Sequence, residues 1–347
     1  MFLLLNRGGY RQKLINKVMN MKLSTALSAL TLTFALATEA DARSWRINND
    51  ATKQPNFTTI NAACSSDDVQ NGDTLYLDPG TSLSETATIS KQLTIIGCGY
   101  TGVTQPYGIA TIQNLKIIVP NVKLLSLNVS STVTIKANYA TIERCRINTI
   151  TNDGSNCQYA NIRNCYVVHI NGAGKSDYST AFWIIENSIV FISNNYSIRN
   201  LYNATIRNNL ILNSNASYYC LYNIGNSQIV NNIIIHTKTA ANTLSSVDTY
   251  MLNNNVLSSE TRTDYNRYAA TTAAVYTGDV QDYVLIDESP AAGYGQDGQD
   301  CGIFGGLYPY VKGGRPYGHP YYESFVVSSF PVDGNINVSL KVKMQDE

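Results

Sequence analysis

One segment keeps returning along this chain. Ile142-Glu143-Arg144-Cys145-Arg146-Ile147 is followed by Ile162-Arg163-Asn164-Cys165-Tyr166-Val167, Ile185-Glu186-Asn187-Ser188-Ile189-Val190, Ile206-Arg207-Asn208-Asn209-Leu210-Ile211, Ile229-Val230-Asn231-Asn232-Ile233-Ile234 and Leu252-Asn253-Asn254-Asn255-Val256-Leu257. The leading apolar residues stand 20, 23, 21, 23 and 23 positions apart, and Val122 opens a weaker copy. A unit so short has no core of its own and buries its apolar side only by stacking on its neighbours. Leucine-rich repeats share the period but need Leu at several fixed positions and a helical turn in each copy. These copies are short β-branched runs broken by Asn. They predict an all-β fold, a right-handed, single-stranded parallel β-helix with one coil per repeat.

In such a coil the two-residue period of a strand assigns columns. Ile142, Ile162, Ile185, Ile206, Ile229 and Leu252 point inward, as do Ala140, Ala160, Trp183, Ala204, Ser227 and Tyr250 two residues earlier. Thr141, Asn161, Ile184, Thr205, Gln228 and Met251 face out. Asn164, Asn187, Asn208, Asn231 and Asn254 share a column in the turn after the anchor, where they are expected to bond along the stack as an Asn ladder and to accept left-handed backbone. Cys145 and Cys165 fall in the next column, beside Ser188, Asn209, Asn232 and Asn255, and read as small structural rungs.

Met21-Lys22, an apolar run from Leu23 to Ala37 and the ending Ala40-Asp41-Ala42 describe a secretory signal peptide. Residues 1–42 are therefore a leader with the signal at 21–42, and the ambiguity between Met1 and Met21 as start stays open. Export to the periplasm, outer surface or medium is expected, with no transmembrane segment in the mature chain. Lys plus Arg and Asp plus Glu number 25 each, which gives nucleic acid no electrostatic hold. The seven Cys contain no CxxC and match no zinc spacing, and three His make a His-based metal site improbable. No cofactor is expected. Asp297-Gly298-Gln299-Asp300 lacks the calcium-loop spacing and reads as a turn, with calcium a weak alternative.

The repeats resemble those of the secreted parallel β-helix proteins of the pectin-lyase-like superfamily. Phe57 to Ala63 is similar to their capping helix, Gly72 to Leu77 to the first strand, and Leu93 to Gly97 to an early coil. Ser289-Pro290-Ala291-Ala292-Gly293 with Asp300 to Gly306 is similar to their closing segment. The resemblance implies a solenoid over 43–306. Residues 307–347 are a Gly/Pro/Tyr-rich segment with a β-hairpin about Asp333-Gly334, either a cap or an attachment module.

The resemblance also implies polysaccharide as the substrate class, yet the Asp clusters of its lyases and hydrolases are missing. Glu143 and Glu186 share an outward column about 9.5 Å apart, a spacing open to catalysis. That column, however, runs Glu143, Arg163, Glu186, Arg207, which reads as a surface ion-pair ladder. His169 and His236 share a column three coils apart. The insertions at 151–158 and 171–180 offer Asp153, Asp177 and Glu186 as candidate catalytic groups and His169, Lys175 and Tyr178 as candidate ligand-binding groups. With 24 Tyr against 8 Phe and 2 Trp, a monomeric, non-catalytic binder of glycan or a cell-surface partner along a Tyr and Asn face is the leading expectation. An atypical polysaccharide lyase or hydrolase and a structural adhesin are the alternatives.

Overall fold

The computed structural model describes residues 42–100, 108–152, 157–172, 182–259, 265–277, 283–316 and a terminal strand pair. Their body is one sheet of 21 strands wound as a right-handed parallel β-helix. Each coil has three faces. The first face stacks three-residue strands, among them Thr141–Glu143, Asn161–Arg163, Ile184–Glu186 and Thr205–Arg207, followed by the ends of Leu221–Val230 and Leu244–Asn253. The predicted anchors sit directly over one another: Ile142 pairs with Ile162, Ile162 with Ile185, Ile185 with Ile206, Ile206 with Ile229 and Ile229 with Leu252. All but Leu252 are fully buried, each contributing about 1.5–3 kcal/mol of transfer free energy. The helix Ile60–Ser65 closes the first coil, with Thr59 accepting from the Ala62 amide at 3.0 Å and Ile60, Ala63 and Cys64 turned into the core.

The inward column before the anchors holds at Ala140, Ala160, Trp183, Ala204 and Ser227 and fails at Tyr250, which is 64% exposed. The register shifts around Ser227, which pairs with Thr249, so Tyr250 is displaced outward as an extra residue.

The ladder falls one residue later than the sequence suggests. Asn209 donates to the Asn232 amide oxygen at 3.0 Å, Asn232 to Asn255 at 3.0 Å and Asn255 to Asn266 at 2.9 Å, all inside the core. Ser188 continues it through its hydroxyl, and Cys145 and Cys165 end it as free, buried thiols. Asn164, Asn187, Asn208, Asn231 and Asn254 do take left-handed backbone, with φ from 46° to 58°. Left-handed residues break the alternation of a strand, so these side chains leave the core.

They meet the chain on its way back. The last rung of the sheet is Arg267–Tyr268, and among the described residues of 269–306, grouped with the solenoid on sequence, no strand joins the sheet. The chain instead retraces the stack along its outside as a strap. Asn254 donates to the Tyr294 carbonyl, Asn231 accepts from the Gln296 amide, Asn187 donates to the Ile303 and Gly305 carbonyls, and Asn164 donates to the Tyr308 carbonyl and accepts from the Val311 amide. Arg144, the same column one coil earlier, donates to the Arg315 carbonyl at 2.7 Å. Each step up the strap is a step down the solenoid.

Beneath this segment lies a second apolar core, outside the coils. Ile189, Leu210, Leu212, Ile233, Ile235 and Val256 point outward from the second face and are buried by Val275, Tyr276, Tyr283, Ala291, Cys301 and Ile303. Residues 320–327 and 338–344 form a separate antiparallel pair, the predicted hairpin.

Candidate functional site

The corner between the third and first faces carries an exposed aromatic array. Tyr139, Tyr159 and Phe182 occupy the position two before the outward residue of successive coils. Their rings stack at 5.0 Å and 5.3 Å with interplanar angles of 6° and 14°. They are 51%, 44% and 39% exposed. In the next two coils the same position is Asn203 and Asn226, whose amides bond to each other. Tyr139, Tyr159, Asn203 and Asn226 all have φ between 43° and 61°. Asn accepts that backbone readily, whereas a ring costs about 1–2 kcal/mol there, so the two tyrosines are held against their backbone preference.

A niche of about 340 Å³ opens where the aromatic stack gives way to amides. Tyr159 and Phe182 form one wall, Ile184 and Thr205 line the strand side, Asn203 and Asn226 supply amides and Tyr250 stands opposite. The displaced register that pushed Tyr250 outward is what builds this wall. The amide rungs continue round the corner, Asn200 donating to Asn171 and Asn223 to Asn200, each at 2.8 Å. Beyond them Tyr196 stacks on Tyr222 at 4.4 Å, with the Arg199 guanidinium 5.5 Å from the Tyr196 ring centre.

The residues singled out from sequence lie elsewhere. The Glu143–Arg163 and Glu186–Arg207 pairs form at 2.8 Å and 2.6 Å, so the predicted charge pairing exists, with the carboxylates buried and the guanidinium groups partly exposed. Both glutamates are buried, and Tyr308 of the strap lies over Arg163 at 4.4 Å. Glu186, a catalytic candidate on sequence, is buried, paired with Arg207 and absent from the residues that line the corner niche. His169 is buried, its Nδ1 at 2.6 Å from the Tyr196 carbonyl, and burial pulls its pKa below the usual 6.5 against that hydrogen bond. It pins the Tyr196 segment and is not a ligand-binding group on the surface. His236 accepts the Lys238 and Thr239 amides on Nδ1 and faces the Asn215 and Tyr218 carbonyls through Nε2. Asp153, Lys175, Asp177 and Tyr178 lie outside the described residues. Asp297 takes left-handed backbone with φ of 62° and the Gly298 amide donates to the Gly295 carbonyl, so Asp297-Gly298 is a turn, with Asp300 accepting from the Gly293 amide at 2.8 Å. Among the described residues no group of three or more His, Cys, Asp or Glu gathers as for a metal.

Sequence reasoning passed over Tyr139, Tyr159 and Phe182, although they recur with the same spacing as the anchors. Fold and corner together define the chain as a parallel β-helix protein with an aromatic and amide strip on one edge. No family model and no curated protein matches it.

Proposed function

We propose that this is an exported, monomeric, non-catalytic carbohydrate-binding protein that grips a glycan at the corner niche. The reading is supported chiefly by the niche itself, an exposed ring on either side of two amides and a threonine hydroxyl. Aromatic faces cover the apolar patches of a pyranose, and amides supply directional hydrogen bonds to its hydroxyls. Among the described residues the lining holds no carboxylate, histidine or cysteine, which favours binding over cleavage. The Tyr196–Tyr222 patch beyond the amide rungs extends the contact for a longer chain. Export rests on the leader at 21–42, and membership of the pectin-lyase-like superfamily belongs to the same reading.

The test is a glycan array and titration calorimetry with residues 43–347. Saturable binding of at least one polysaccharide is expected, with Phe182→Ala and Tyr250→Ala each weakening it by about 3- to 10-fold, as for loss of an aromatic contact of about 0.5–1.5 kcal/mol. The melting temperature should hold, since both rings are exposed. Binding indifferent to both substitutions, or none at all, rejects the proposal.

A further inference from the structure

The first rung of the solenoid is assembled around one carboxylate. Ser44–Ile47 lies parallel to Thr74–Leu77, with Ser44 opposite Thr74, and Asp73 immediately precedes the second of these strands. Asp73 is buried and collects three donors: the Arg43 backbone nitrogen at 2.7 Å from Oδ1, and the Trp45 indole and Gln70 amide at 2.7 Å and 2.9 Å from Oδ2. The Thr74 amide donates to the Arg43 carbonyl at 2.8 Å, so Arg43 is held from both sides. Burial pushes the Asp73 carboxyl up, but the bonds from Gln70, Trp45 and Arg43 outweigh it and hold its pKa below the usual 3.8. Arg43 is also the residue at which the mature chain is expected to begin, since Ala40-Asp41-Ala42 closes the leader.

We propose that Asp73 is the receptor for the α-ammonium group that cleavage after Ala42 creates at Arg43, an assignment that rests on the leader boundary of the proposed function. A peptidase adds water across the Ala42–Arg43 bond, leaving a carboxylate on Ala42 and an amine on Arg43 that takes up a proton. The Arg43 nitrogen thereby changes from a neutral amide with one hydrogen to a cation with three, and the first rung holds it in the same place. The 2.7 Å contact becomes an ion pair in a site already shielded from water, and a bond with both partners charged is stronger than one from a neutral donor. Other charged groups at this end are the Arg43 guanidinium, which acts on Asp73 electrostatically, the exposed Asp67 and Asp68, and Lys91, which donates to the Ser66 and Val69 carbonyls. All of these are present before and after the cut, so they do not distinguish the two forms. Removal of the leader thus tightens the end at which the solenoid starts.

The experiment compares pure chains with defined starts: residues 43–347 released without extra residues from a cleavable fusion, and the same chain with Gly-Gly placed before Ala42. Starting at Arg43 should raise the melting temperature at about pH 6 by about 2–5 °C, the difference between a charged and a neutral donor. The advantage should be complete below about pH 7.7, the ordinary value of an α-amine, and be lost as pH rises through the amine's value in the folded chain, which pairing with a carboxylate raises. Asp73→Asn keeps an acceptor for the same donors and should abolish the difference at every pH. Should that variant fail to fold, the pH dependence alone decides. N-terminal sequencing of the full chain expressed in a bacterial host should read Arg43 first. Equal melting temperatures, an advantage that persists at about pH 10.5, or one that survives Asp73→Asn would overturn the ion pair. A start other than Arg43 would overturn its role in the native protein through the leader boundary, and neither result bears on glycan binding.

Discussion

Two neighbouring asparagines in the same turn do different work. Asn232 lies in the core and serves the Asn209 amide, the Ile206 and Val230 carbonyls and Asn255, whereas Asn231 holds the strap at the Gln296 amide. Orphaning a buried polar group costs about 1–3 kcal/mol. Asn232→Ala orphans several and is expected to lower stability by about 3 kcal/mol or more, read as a shift of the urea midpoint. Asn231→Gly keeps the left-handed backbone and removes one contact, for a loss of about 1 kcal/mol. Equal losses would contradict the placement of the ladder. The pairs Asn208-Asn209, Asn231-Asn232 and Asn254-Asn255 were plain in the sequence, but which member turns inward was not. A left-handed residue resets the alternation, and counting by twos through it inverts the answer. His169 adds a pH dependence of definite sign. Its folded-state pKa lies below 6.5, so on acidification the unfolded chain takes up a proton that the folded chain refuses. Stability should fall as pH drops below about 6.5 and be flat with respect to this residue above it. His169→Asn, which offers an amide donor to the same carbonyl, should flatten denaturation midpoints measured across that range.

At the level of elements, the strap is what sequence reading missed. The coils announced themselves by repetition, while the strap has no period: its residues up to 306 were read as the closing part of the solenoid and those from 307 as a Gly, Pro and Tyr-rich change of composition. One sign of it was present. Ile189-Val190-Phe191-Ile192 and Ile233-Ile234-Ile235 are apolar without alternation, which marks strands buried on both sides and therefore calls for a cover. The strap end is held at Gly314, where φ is +60° and an added Cβ would sit 2.2 Å from the Arg144 carbonyl oxygen and 2.3 Å from the Tyr100 ring. Gly314→Val should free this end, so that limited proteolysis cuts within about residues 300–316 while the coils resist. Cleavage no faster than in the parent chain would mean that the end is not held there. The Glu186–Arg207 ion pair offers a separate test. Arg207→Met strips the guanidinium from Glu186, whose side chain is 4% exposed. The expected loss is about 3 kcal/mol, the low end for a broken buried pair because Arg207 itself is half exposed.

For the molecule as a whole, the fold class was readable from one column of anchors, but the candidate site was not. Its wall at Tyr250 depends on a register shift that no spacing reveals, and the charged column that attracted attention carries Tyr308, from a segment far along the chain, over Arg163. The second core gives a test at this scale. A chain of residues 43–268 leaves Ile189, Leu210, Leu212, Ile233, Ile235 and Val256 bare and should associate on size-exclusion chromatography. Residues 43–316 retain the cover and should elute as the full chain does, whatever the terminal hairpin contributes. A monodisperse 43–268 would show that the outer core is dispensable.

Most solenoids lengthen over evolution by copying a unit, since each copy needs only its neighbours. In this molecule a duplicated coil would add about 4.8 Å to the stack while the strap kept its length, and every amide beyond the insertion would face the wrong peptide. The returning chain thus acts as a ruler, and the number of coils is inherited together with the tail that measures them.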